Sequence, residues 1–133
     1  MVCWAHNSHL GDARYTHLER LPPSKRDLNL GQLVKEAYPQ DSFIIGQLFN
    51  DGAVTAANEW GEPHEFKQVN SAIPNSAEDV LHAVSKKHAV DTFALDMSST
   101  KVAKIFKEPR LQRAIGGEVP IVTAIAYILK KLA

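Results

Sequence analysis

Residues 42–57 read Ser42-Phe43-Ile44-Ile45-Gly46-Gln47-Leu48-Phe49-Asn50-Asp51-Gly52-Ala53-Val54-Thr55-Ala56-Ala57. The first half is rich in β-branched and aromatic residues, which suit a pleated, half-buried surface. Asn50-Asp51-Gly52 is turn chemistry, because glycine reaches positive φ without a Cβ clash. Ala53–Ala57 follows as a weaker strand. The stretch therefore predicts two strands joined by one local hairpin turn.

Working outward, Asn29 offers a helix N-cap, and Leu30, Leu33, Val34 and Ala37 follow helical spacing. Pro39 lies beyond that helix. Downstream, a polar connection over 58–75 leads to Ser76, a second N-cap. Glu78 and Asp79 occupy the first turn of its helix, and Lys86-Lys87-His88 its C-terminal end, each where the helix dipole favours that charge. Val2–Ala5 and Val90–Met97 read as buried strands. Thr100–Phe106 reads as a short helical segment, and Pro109 opens a further helical turn through Gln112 or Arg113. His6–Leu28 is polar and reads as a long loop. Strands alternating with helices predict an α/β class, with a mostly parallel sheet flanked by helices and one local hairpin.

Composition limits the function. The chain has 133 residues, enough for one domain with a real core. Lys plus Arg is 15 and Asp plus Glu is 15, so the formal net charge is zero. That removes the global electrostatic case for nucleic acid or for an anionic membrane surface. One cysteine, Cys3, forms no internal disulfide, so a cytoplasmic, reducing setting is the expectation. The longest apolar stretch, Val119–Leu129, contains Pro120 and falls short of the roughly 20 residues a bilayer span needs. No secretory leader is expected from residues 1–10.

The densest chemistry lies in Trp4-Ala5-His6-Asn7-Ser8-His9-Leu10-Gly11-Asp12-Ala13-Arg14. Two imidazoles, a carboxamide, a hydroxyl, a carboxylate and a guanidinium follow an apolar segment. Histidine transfers protons near neutral pH. Arg14 is a candidate to stabilise an anionic intermediate, and Asp12 to orient a histidine. The alternative is a capped turn whose histidines bond backbone carbonyls. His6 and His9 also form an HxxH pair, but a zinc site needs a third and fourth ligand, so no metal is expected. Cys3 reads as a small buried hydrophobe rather than a nucleophile. Ser8 lacks the GxSxG context of a nucleophile elbow. Glu59, Glu62 and Glu65 around Trp60 read as a solvated loop, and Lys101, Lys104, Lys107 and Arg110 as a solvated helix face.

Residues 4–14 resemble the WAHNxHxGDAR motif of the erythromycin esterase family. Further resemblances follow in family order: Asn29-Leu30-Gly31-Gln32-Leu33 to NxGQL, and Ile45-Gly46 with Gly52–Ala57 to IG…GxVTAA. Pro74–Glu78 with Leu81-His82 is similar to PxSxExLLH, and Arg113-Ala114-Ile115-Gly116 to RAIG. The resemblance implies a hydrolase that cleaves an ester or lactone by water activation, with macrolides among the substrates of relatives and antibiotic resistance as a consequence. It implies His6 and His9 in the active-site cleft, Arg14 beside them, and Trp4, Asn7 and Asp12 as substrate-binding neighbours. No cofactor is implied.

Two departures set further expectations. The family's GExxH segment, which supplies the histidine that activates water, is not in this sequence. Residues 117–133 do not resemble the family's downstream segments. The chain is therefore expected to be an incomplete domain, with residues 1–116 the C-terminal portion of such a hydrolase and residues 117–133 a divergent apolar tail. Little turnover by the chain alone is expected. The alternative is a non-catalytic remnant or binding module that needs a separate N-terminal half, with self-association through exposed sheet edges.

Overall fold

The computed structural model describes residues 1–18, 27–59, 61–115 and 124–127, the last four and residues 17 and 18 by their backbone alone. A four-residue helix α1 (Asn7–Leu10) leads through a 3₁₀ turn (Ala13–Tyr15) into strand β1 (Thr16–Leu18). Helix α2 (Leu30–Ala37) follows, then strands β2 (Gly52–Ala56) and β3 (Glu65–Val69). Helices α3 (Ala77–His88) and α4 (Thr100–Ile105) precede strands β4 (Arg110–Arg113) and β5 (Ala124–Tyr127).

The sheets correct the expected architecture. β2 and β3 form an antiparallel pair with Gly52 opposite Val69 and Ala56 opposite Glu65. β5 lies between β1 and β4, antiparallel to both. The described residues thus contain antiparallel ladders, not a mostly parallel sheet flanked by helices. Connection length supplies one reason. A parallel pair needs a crossover of about a dozen residues or more, whereas β2 and β3 are joined by the short segment 57–64. The hairpin also closes at the opposite end from the expected one. Gly52 does take positive φ, at 132°, but it opens β2 instead of turning the chain back.

The segments read as parallel strands make no ladder. Val2–Ala5, the 42–50 stretch and Val90–Met97 carry no strand assignment. Their large apolar side chains stay exposed, with Val2 at 96%, Phe43 at 87% and Ile45 at 71%. β-propensity describes a fit to neighbours on a sheet, and among the described residues these segments pair with none. Residues 110–113, expected to be helical, are instead strand β4. Cys3 is exposed rather than buried.

Helix capping follows the sequence closely. Asn29 caps α2 by accepting from the Gln32 N–H at 2.9 Å. Ser76 caps α3 by accepting from the Asp79 N–H at 3.2 Å. Asp79 in turn accepts from the Asn75 N–H at 2.8 Å, so a second backbone donor at that end is satisfied. The buried apolar residues among those described are Ala13, Ala56, Ala77 and Phe106. Ser76, Glu78 and Gln112 are buried beside them. No helix of the described residues is long and apolar enough to cross a membrane.

Candidate functional site

The Trp4–Arg14 run folds as a helical turn clasped by two distant segments. His6 is the N-cap of α1, and its Nδ1 accepts from the Ser8 N–H at 3.2 Å and lies 2.8 Å from the Ser8 hydroxyl. His6 thus caps its own turn, through the Ser8 N–H and not through a carbonyl. Asn7 binds both backbone groups of Gln47: its Nδ2 donates to the carbonyl at 2.5 Å and its Oδ1 accepts from the N–H at 3.2 Å. One carboxamide thus takes the place of a neighbouring strand at that point of the 42–50 stretch.

The second clasp is Asn29. Its Nδ2 donates to the carbonyls of Ser8 at 2.9 Å and Gly11 at 2.6 Å while its Oδ1 caps α2. The approach is close enough to exclude a side chain at Gly31. A Cβ there would overlap the Leu10 carbonyl and sit 2.7 Å from the Gly11 carbonyl oxygen. The Asn-x-Gly-Gln spacing is thereby given a physical role: a clasp, a gap and a helix start.

Asp12 and Arg14 pair with each other. The guanidinium donates to both carboxylate oxygens, from Nε at 2.9 and 3.2 Å and from Nη2 at 2.5 Å. Arg14 also lies 3.7 Å from Glu36 on α2. Burial pushes the Asp12 carboxyl up, but the Arg14 side-chain hydrogen bond, its backbone N–H and the charges of Arg14 and Lys35 together hold it below the usual carboxylate range. The Asp12 hydrogen bond raises Arg14 in return. His6 is shifted down from its ordinary value near 6.5, first by burial and then by the nearby charge of His9, with a hydrogen bond to the Ile115 backbone opposing both.

A cavity of about 350 Å³ opens beside this turn. Trp4, Ala5, His6 and Asn7 form one wall, and Gln47, Leu48, Phe49, Val54 and Thr55 a second. Glu78, Arg113 and Ile115 close it. Of the sequence-predicted residues, His6, Asn7 and Trp4 meet here. His9 is exposed on α1, and neither it nor the Asp12–Arg14 pair lines the cavity.

Three contributors were not singled out for the site from sequence. Gln47 enters through its backbone. Glu78 is only 3% exposed, and its Oε1 accepts from the Arg113 N–H at 2.8 Å. Arg113 ties the open end of the hairpin, donating to the Asn50 carbonyl at 2.9 Å and the Asn70 carbonyl at 2.6 Å. Its guanidinium also lies 6.0 Å from the centre of the Phe49 ring. An acid in the first turn of a helix reads as a dipole contact, and nothing in its spacing reveals that it turns toward β4.

An imidazole held as a cap, a buried carboxylate and an anchored guanidinium line one half-apolar cavity. The chain belongs to the erythromycin esterase family, whose description it matches over residues 1–129. The match thus includes the motif residues 4–14, all of the cavity lining and residues beyond Gly116. No solved structure matches the chain.

Proposed function

We propose that the cavity binds an ester or lactone and that His6 polarises its carbonyl, in a hydrolase of the erythromycin esterase type. The observation that carries this reading is the hydrogen bonding of His6. A backbone N–H can only donate, so Nδ1, which faces the Ser8 N–H, is the accepting nitrogen. The neutral ring then carries its proton on Nε2. The lowered pKa favours that neutral form near pH 7. A neutral Nε2–H is a hydrogen-bond donor suited to a carbonyl oxygen, and it strengthens as negative charge develops there. A ligand carbonyl would compete with the Ile115 backbone for the ring.

Arg14 is proposed to act on the anionic intermediate only indirectly, by holding Asp12 and α2 against the turn. His9 is proposed to tune His6 through its charge. Macrolide lactones are the substrate class that the family suggests, and the cytoplasm the compartment in which the exposed Cys3 thiol stays reduced. Water activation is assigned to a histidine outside this sequence, so binding is the property this chain is expected to show.

The test is a titration of the purified chain with ε-caprolactone, followed by backbone amide NMR, in wild type and His6→Asn. Asparagine retains an N-cap acceptor for the Ser8 N–H but removes the Nε2 donor. Binding is expected at the amides of Asn7, Gln47 and Ile115 and is expected to weaken about tenfold in the variant, the value of one hydrogen bond made to a polarised carbonyl. Equal affinity in both proteins would exclude His6 from carbonyl recognition.

A second reading has its own observation. Trp4 is 93% exposed, Phe43 87% and Phe66 87%, and among the described residues β2 and β3 pair only with each other. A binding module that covers this surface with a second copy, or with a separately supplied segment of the same family, accounts for that apolar exposure.

A further inference from the structure

Strand β3 leaves one edge open. Among the described residues it pairs only with β2, and no other backbone hydrogen bond reaches residues 65–69. None of its residues lines the cavity, so a contact on this edge leaves the cavity free. Phe66 is 87% exposed and shares a face with Thr55, its partner across the hairpin. Glu65 and Lys67 flank it on the opposite face, because side chains alternate along a strand. Glu65 is exposed, and Lys67 donates to the neutral Asn58 carboxamide. Among the described residues neither charge has an ion-pair partner in its own chain. An open edge beside a large exposed aromatic is a template for one more strand.

We propose that this edge takes the same edge of a second copy, with the two β3 strands antiparallel about a two-fold axis at Phe66. The charge pattern selects that register. A two-fold axis perpendicular to the sheet keeps each side chain on its own face, so only residues an even number of positions apart can oppose each other. An axis at Glu65 sets two carboxylates directly opposite, and an axis at Lys67 sets two ammonium groups directly opposite. Like charges so placed destabilise a strand pair. An axis at Phe66 sets Glu65 of each copy opposite Lys67 of the other, which gives two ion pairs on one face. On the other face it sets the two Phe66 rings side by side, a favourable cross-strand pair. A lysine on an edge strand ordinarily discourages a neighbour, and here the glutamate of the second copy offsets it. The edge is five residues long, so the contact is small and the dimer forms reversibly with concentration. This inference names the partner in the binding-module reading and rests on that reading.

The experiment is sedimentation velocity over a concentration series on the wild-type chain, Glu65→Lys, Lys67→Glu and the double exchange. Each single exchange turns both ion pairs into like-charge pairs and is expected to weaken dimerisation about tenfold. The double exchange rebuilds both pairs with their signs reversed and is expected to associate within about threefold of wild type. Wild-type association that the single exchanges leave unchanged, or that the double exchange does not recover, would overturn the β3 register and leave self-association standing. A monomer at every concentration would overturn both. The wild-type chain supplies an independent reading if a variant does not fold. In a mixture of ¹³C-labelled and unlabelled chains, isotope-filtered NMR is expected to connect the Phe66 ring of one copy with that of the other. Association without this contact would overturn the axis at Phe66.

Discussion

At the scale of single residues, His6 carries two duties on one ring. Nδ1 holds the first turn of α1, and the residue lines the cavity. The duties are compatible because the cap requires an acceptor at Nδ1 and thereby leaves the proton on Nε2. This makes the fold sensitive to pH in a defined direction. His6 in the folded chain titrates below its ordinary value near 6.5. As pH falls through that range, the unfolded chain takes up a proton that the folded chain resists. Stability is therefore full above the ordinary histidine range and declines as pH drops toward the folded value. Imidazole NMR should show His6 titrating below the ordinary histidine value near 6.5. A His6 midpoint at or above that value would contradict the burial and the His9 charge that set it.

At the scale of elements, α1 and α2 meet at close quarters. Asn29 bonds two carbonyls of the preceding turn, and Gly31 lets the backbones meet. Alanine usually stabilises a helix relative to glycine by about 1 kcal/mol. Gly31→Ala should instead destabilise the chain by about 1–3 kcal/mol, because the new methyl meets backbone that cannot move aside. Chemical denaturation checks the sign. A stabilised variant would mean that the two elements are not packed as described.

The same scale shows what could be read in advance. Asn29 and Ser76 announced their helices, because capping is decided within four residues. The short helix at Thr100–Ile105 was legible too, although its N-cap Ser99 makes no side-chain cap hydrogen bond. Strands were not. Phe43–Phe49 has every strand preference, yet its Gln47 backbone is bonded by the Asn7 carboxamide, a partner 40 positions away. Glu65–Val69 looked like part of a polar connection and pairs with β2. Pairing is a tertiary property, and local composition does not contain it. The cavity was half legible: its His6, Asn7 and Trp4 wall lies in one motif, whereas Glu78 and Arg113 arrive from separate elements.

At the scale of the whole molecule, the apolar surface is the dominant feature. Phe66 on β3 is 87% exposed, and among the described residues β3 pairs only with β2. Such surfaces associate, and charge on an edge strand suppresses the association. Sedimentation velocity of the wild-type chain is expected to show mass increasing with concentration, and Phe66→Lys to reduce it. A concentration-independent monomer would remove the binding-module reading.

The account turns on which nitrogen of His6 faces the cavity, and ring ¹⁵N NMR of the labelled chain at neutral pH reads this directly. The prediction is an accepting Nδ1 and a protonated Nε2, with ε-caprolactone shifting Nε2 and leaving Nδ1 unchanged. A ring protonated on Nδ1, or one whose nitrogens ignore the lactone, would contradict the proposal that His6 polarises a bound carbonyl.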